Sequence, residues 1–134
     1  MGRRVTTLVL AAMLGATTIA AARILPHRKP AATDGPALTL RLVEPEKKAR
    51  EKTATLEVKV SGLTLVDPAS TKEQPRPHQG HLHYRLDDGP VIATTTTKLS
   101  FHELQPGDHQ FLVALAANDH TPLGPEQTVR VNIP

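Results

Sequence analysis

Apolar residues recur at every second position in four segments of this chain, and this pattern constrains the fold more than any other feature. In the first segment, three leucines alternate with Thr39 and Arg41. Alternation of this kind is typical of strands that have one face in a core. The four segments are residues 37–43, 54–60, 109–117 and 127–133.

Three further stretches are also predicted to be strands, which brings the total to seven. The additional strands are residues 80–86, residues 91–97 and a short strand around residues 99–101. Residues 44–53 are dense in charge and are interpreted as a solvated loop, with a helical turn after Pro45 as the alternative. Residues 63–79 are interpreted as a long loop. Seven short strands separated by turn residues, with no convincing helix, predict an all-β fold, a seven-stranded antiparallel sandwich.

The N-terminus has the composition of an export signal. Two arginines precede residues 5–22, which carry no charge, and three alanines end that stretch at the positions that a signal peptidase reads. We therefore predict a signal peptide at residues 1–22, a linker at residues 23–36 and a sandwich domain at residues 37–134. The predicted location is periplasmic or secreted. An uncleaved segment of 18 residues would instead anchor the chain in a membrane.

Composition excludes several classes of function. The chain has no cysteine, so thiolate metal sites, redox cysteines and disulfides are excluded. Residues 54–134 hold six basic and nine acidic residues, and the whole chain has two Phe, one Tyr and no Trp. A nucleic-acid-binding domain normally carries a basic face with aromatic residues for stacking. No nucleic-acid partner is expected.

From Tyr84 onward, the chain resembles the immunoglobulin-like domains of bacterial surface and periplasmic proteins. The matching features are the Tyr-Arg-Leu-Asp sequence before a glycine turn, then Leu104, Gly107 and His109 ahead of an alternating strand. The Gly-His-Leu-His-Tyr sequence at residues 80–84, together with a late Asn-Asp-His, also resembles small exported bacterial domains of unknown function. These resemblances imply a fold and an exported location but no activity.

Two histidines stand on one face of the predicted strand at residues 80–86. His81 and His83 lie two positions apart, about 6.6 Å along an extended backbone, and share that face with Arg85. A similar Gly-x-His-x-His pair occurs in copper–zinc superoxide dismutases. This chain lacks their cysteine pair, their bridging-histidine region and their long metal-binding loop. No nucleophile and base, and no acidic pair, is evident elsewhere, so the protein is not expected to be an enzyme.

The predicted topology brings further ligands to this pair. In the immunoglobulin arrangement, residues 80–86 and 109–117 are antiparallel neighbours, so the loops before the first and after the second meet at one pole. Residues 112, 114 and 116 would form an apolar floor there. Several imidazoles with one carboxylate suit copper or zinc, and binding is expected to weaken below about pH 6.5. The candidate ligands are His78, His81, His83, Asp119 and His120.

In a second interpretation, His81 and His83 have a structural role and bind no metal. In that case His81 and His83 bond to loop backbone or to Asp119, and the domain is a metal-free binding module for an envelope protein, peptide or glycan. His109 shares the parity of Phe111 and is interpreted as a structural corner residue. His102 has the opposite parity to Phe101 and is expected at the surface.

Overall fold

A computed structural model describes residues 35–70 and 75–134 of this 134-residue chain. These residues form eight strands and one short helix. The strands are β1 (Ala37–Val43), β2 (Ala54–Ser61), β3 (Thr64–Leu65), β4 (Gln79–Leu86), β5 (Ile92–Thr94), β6 (Lys98–Phe101), β7 (Gly107–Ala116) and β8 (Pro122–Ile133). Helix α1 spans Pro45–Arg50.

The strands form two sheets, as expected for an all-β sandwich. One sheet has the order β1-β2-β6, and the other has the order β3-β4-β7-β8 with β5 also paired to β4. The chain passes from the larger sheet to the smaller one between β5 and β6. There the buried hydroxyl of Tyr84 donates a 2.6 Å hydrogen bond to the carbonyl oxygen of Thr96.

The alternating residues predicted to point inward form the core between the sheets. Leu38 and Leu40 of β1 are buried, and Phe111, Val113 and Leu115 of β7 are at most 1% exposed. Leu56, Leu82, Tyr84 and Ile133 complete the most deeply buried set. Burial of apolar side chains is the main stabilising term of such a fold, and here the period-two pattern predicted its members.

The predicted strand count was wrong, and so was the purely antiparallel pairing. The long loop contains the two-residue β3, which pairs parallel to β4 through Thr64 with Gln79 and Leu65 with Gly80. A pair of two residues is too short to show an alternating pattern, so it gave no signal in the sequence.

The charged segment at residues 44–53 is partly helical rather than a loop throughout. Pro45 stands in the first turn of α1, where a proline has no intrahelical N–H bond to lose. Ala49 is 6% exposed and packs against the core. One buried methyl group gives no periodic signal among so many charged residues.

Strand β8 begins five residues earlier than predicted. Its first half contains two prolines and a glycine, which favour turns in sequence-based reasoning. It pairs with β7 nonetheless, across an irregularity between Ala114 and Ala116. Such bulges allow an edge strand to continue through residues that do not suit regular pairing.

The predicted signal peptide and nearly all of the predicted linker lie outside the described residues. Among the described residues, no helix has the length and apolar character needed to cross a bilayer.

Candidate metal centre

The candidate site stands on β4 and on the turn that follows β7. The two strands are antiparallel, with His81 opposite Ala116 and His83 opposite Ala114. The start of β4 therefore lies beside the end of β7, as the topology predicted. Gly80 makes this approach possible, because a Cβ atom at that position would clash with the carbonyl oxygen of Ala116.

A tight turn carries His120 back toward β4. The backbone N–H of His120 donates to the carbonyl of Ala117, at 2.8 Å, and the N–H of Ala117 donates to the carbonyl of Thr121, also at 2.8 Å. His120 itself has a φ of 67°, in the left-handed region that few side chains adopt. The carboxylate of Asp119 accepts a 3.0 Å hydrogen bond from the N–H of Thr121, and hydrogen bonds from Thr121 hold the pKa of Asp119 below its usual value.

Three ring nitrogens meet in a nearly equilateral triangle. Nε2 of His81 is 2.9 Å from Nε2 of His83 and 3.1 Å from Nδ1 of His120. The last side, from Nε2 of His83 to Nδ1 of His120, is also 3.1 Å. We refer to His81, His83 and His120 as the histidine triad.

Hydrogen bonds among the three rings cannot satisfy all three of these nitrogens. Each nitrogen of a neutral imidazole is either a donor or an acceptor, and it points in one direction within the ring plane. At most two of the three contacts can therefore pair a donor with an acceptor. A cation between the rings would satisfy all three lone pairs at once.

The triangle has dimensions suited to a transition-metal ion. Metal–nitrogen bonds are about 2.0–2.1 Å long, so nitrogens 2.9–3.1 Å apart subtend angles of about 90–100° at the ion. A regular tetrahedral site requires a spacing of about 3.3 Å, which is a small adjustment from this triangle. Within the described part of the chain, the group of possible metal ligands consists of these three histidines.

Burial keeps the inner rings neutral. His81 is fully buried, His83 is half-buried and His120 is exposed. Burial, and then repulsion from the rings of His83 and His120, lowers the pKa of His81 to about 4. Burial and the ring of His120 also lower the pKa of His83. A neutral imidazole presents the lone pair that a metal ion needs.

One atom of the triad lacks a partner. Nδ1 of His81 is buried and has no hydrogen bond to any described residue. In a metal site, the second ring nitrogen of a histidine ligand usually donates to a carboxylate, a carbonyl or water.

Apolar residues lie opposite the two triad histidines of β4 and opposite Arg85. Ala114 lies opposite His83 on one side and Ala93 of β5 lies opposite it on the other. Ala116 lies opposite His81, and Leu112 lies opposite Arg85. The register confirms the apolar floor predicted from residues 112, 114 and 116.

Two of the predicted ligands lie outside the triad. Asp119 is part of the turn, where its carboxylate accepts the bond from Thr121. The carbonyl oxygen of His78 accepts a 2.7 Å hydrogen bond from the N–H of Thr64, and this residue lines a separate cavity of about 370 Å³. Strand parity predicts which residues share a face, but it does not extend into loops.

His109 has a structural environment at the other end of the same strands. Its Nδ1 lies 2.8 Å from a carboxylate oxygen of Asp87, and its Nε2 lies 2.8 Å from the carbonyl oxygen of Gln105. The hydrogen bonds to these two acceptors raise the pKa of His109. Asp87 also accepts a 2.8 Å bond from the N–H of Gln110, so it fastens the turn after β4 to β7. The sequence indicated a glycine turn after the Tyr-Arg-Leu-Asp sequence but not this contact.

Comparison with known proteins gives little beyond these observations. No protein-family model and no curated protein matches the chain. Among solved structures, the chain is similar to the extracellular domain of BT4673 from B. thetaiotaomicron, with a TM-score of 0.43 and 17% sequence identity. The match covers 75% of this chain and 15% of that one.

Proposed function

We propose that this protein is an exported, non-catalytic immunoglobulin-like β-sandwich that binds one copper or zinc ion through the histidine triad. The observation that carries the proposal is the convergence of three ring nitrogens within 3.1 Å of one another. Two of these nitrogens come from strand β4 and the third from the turn after β7, and their lone pairs have no complete set of hydrogen bonds. Imidazole ligands suit Cu(II), Zn(II) and Ni(II), and affinity in this series is greatest for copper.

The exported location rests on the composition of residues 1–22, with their basic start, uncharged centre and terminal alanines. An exported domain without cysteine has no thiolate to offer a metal ion, so histidine is the strongest remaining ligand type. Since no nucleophile and base, and no acidic pair, is evident in the sequence, we propose that the protein binds or carries the ion rather than transforms a substrate.

Metal titration of the purified full chain tests the proposal. We expect one equivalent of Cu(II) or Zn(II) to bind by calorimetry, and the double variant His81→Ala/His83→Ala to lose this binding. His102→Ala is the matched control, because it removes an exposed imidazole that is not part of the triad.

Circular dichroism of the double variant must show an intact β-fold for the result to count. If that variant is folded and binds the metal as tightly as the parent, the triad is not the site. If the parent itself binds neither ion, the proposed function is wrong.

A further inference from the structure

Arg85 lies beside the histidine triad without a partner for its buried nitrogen. It follows His83 by two residues on β4 and so shares its face of the sheet, about 6.6 Å away along the strand. The side chain is half-buried, and its Nε atom is buried with no hydrogen bond to any described residue. Burying part of a charged group without a partner costs free energy, so this position favours an anion.

The surroundings of Arg85 supply no anion at the paired positions. Leu112 lies opposite it on β7, and Thr128 of β8 lies opposite Leu112. Glu126 of β8 is exposed and lies opposite Ala114, which in turn lies opposite His83. Two strand spacings of about 4.8 Å separate Glu126 from His83.

A metal ion in the triad would have coordination positions left over. The described residues provide three ligands, whereas these ions take four or more. Because the three nitrogens subtend about 90–100° at the ion, they occupy one side of it and leave the opposite side for an external ligand. Ala93 and Ala114 flank His83 with small side chains, so nothing bulky occupies the paired positions beside it.

We propose that the metal-loaded triad binds a small carboxylate, with an oxygen on the metal ion and the guanidinium of Arg85 paired to the same carboxylate group. This inference rests on the proposed function and identifies the kind of ligand that the ion accepts. Arginine presents a planar pair of donors that matches a carboxylate, and carboxylate oxygens are good ligands for both zinc and copper. The apolar floor formed by Leu112 and Ala114 suits the hydrocarbon part of such a molecule.

Acetate is the probe for this site. The full chain is loaded with one equivalent of Cu(II), acetate is added, and binding is followed by the visible absorption and the electron paramagnetic resonance spectrum of the copper. We expect Arg85→Gln to weaken acetate binding about tenfold or more, since a charge-assisted hydrogen bond is lost. Arg85→Lys keeps the charge but not the planar pair of donors. Its affinity for acetate should lie between that of the parent and that of Arg85→Gln.

Two controls separate the role of Arg85 from general effects. Imidazole is a neutral ligand, and at concentrations that leave Cu(II) on the protein it should bind the parent and Arg85→Gln equally. Arg130→Gln changes another arginine, on β8, whose Nε already donates to Gln110 at 3.2 Å, and it should leave acetate binding unchanged. Circular dichroism confirms that each variant is folded.

The outcomes distinguish this inference from the proposed function. If the parent binds Cu(II) but acetate binds equally to the parent and to Arg85→Gln, the carboxylate site is wrong and the metal site stands. A copper spectrum in the parent that does not respond to acetate has the same meaning. If the parent does not bind Cu(II) or Zn(II), both proposals fall together.

Discussion

At the scale of single residues, the three histidines of the triad are held in different ways. His81 and His83 stand on a paired strand, whereas His120 stands on a four-residue turn in a left-handed conformation. Its ring is exposed, so removing it leaves no cavity in the core. His120 can therefore be changed with little effect on the fold, while a change at His81 alters a buried position.

His120→Asn is expected to weaken Cu(II) binding by about tenfold or more while leaving the fold unchanged. Asparagine tolerates the left-handed backbone well, so the free energy of unfolding without metal should stay within about 0.5 kcal/mol of the parent. Mutation of a residue that only hydrogen-bonds to a metal ligand typically lowers metal affinity by about tenfold or more. Loss of a ligand itself should lower the affinity at least as much. Calorimetric titration measures the affinity, and urea unfolding measures the stability. An unchanged affinity would show that His120 is not a ligand.

His109→Gln is expected to change how stability depends on pH. The pKa of His109 is raised in the folded state, so its contribution is fully present below the unfolded value of about 6.5. That contribution is lost as the pH rises through the folded pKa. The parent should therefore lose more free energy of unfolding than the variant between about pH 5.5 and pH 8.5.

Urea unfolding of both proteins at the two pH values measures this difference. His81 and His83 have lowered pKa values, which act in the opposite direction, but they are present in both proteins and cancel in the comparison. Equal changes with pH in the parent and in His109→Gln would contradict the assigned role of the contact with Asp87.

At the scale of elements, one glutamine side chain joins the edges of the two sheets. The Oε1 of Gln127 on β8 accepts a 2.9 Å hydrogen bond from the N–H of Leu40, and its Nε2 donates a 3.0 Å bond to the carbonyl of Leu38. The side chain thus satisfies one donor and one acceptor of β1 as a neighbouring strand would. This contact could not be predicted from the sequence: Gln127 shares the parity of Val129 and Val131, which indicates its face of the strand but not the backbone groups that it bonds.

Gln127→Glu is expected to destabilise the fold by about 1 kcal/mol. The carboxylate keeps the acceptor for Leu40 but loses the donor, and it places a negative charge beside the carbonyl oxygen of Leu38. Urea unfolding at pH 7 measures the change, with Glu126→Gln as the control on the preceding, exposed residue. A loss no larger than in the control would show that the contact between β1 and β8 contributes little.

The strands could be predicted from the sequence to the extent that burial follows a period of two. That condition holds for β1, β2, β7 and the second half of β8, whose alternating residues pack into the core or against it. It fails where pairing is too short to repeat, as in β3, or where prolines and glycine occupy a paired edge, as in the first half of β8. Helix α1 was given only as an alternative to a loop, because Ala49 alone marks its buried side.

At the scale of the whole molecule, the site depends on which strands are neighbours. The prediction that β4 and β7 lie side by side was confirmed, and it brought together histidines 39 residues apart in the chain. Asp119 and His78 were also predicted as ligands; they lie outside the triad, and their positions depend on the local conformation of their loops. Topology is therefore enough to locate the pole of the domain, but not to select the ligands within its loops.

Metal binding is expected to raise the thermal stability of the full chain, because an ion that binds only the folded state stabilises that state. Free Zn(II) at 100 times its dissociation constant would add about 2.7 kcal/mol, or roughly 10 °C or more in the melting temperature of a domain of this size. Thermal melts with and without Zn(II), and after EDTA, measure the shift. The variant His81→Ala/His83→Ala should show none, and an equal shift in that variant would place the bound ion elsewhere.

The turn between β7 and β8 also bears on how such a site is gained and lost over generations. Only three residues separate Ala116 from His120, and the N–H of His120 is bonded within that short span. One codon inserted or deleted there would move the third ring away from its two companions while both sheets kept their pairing. Among descendants of one ancestral gene, the capacity to hold an ion would then come and go with the length of this hairpin, without any trace in the hydrophobic pattern.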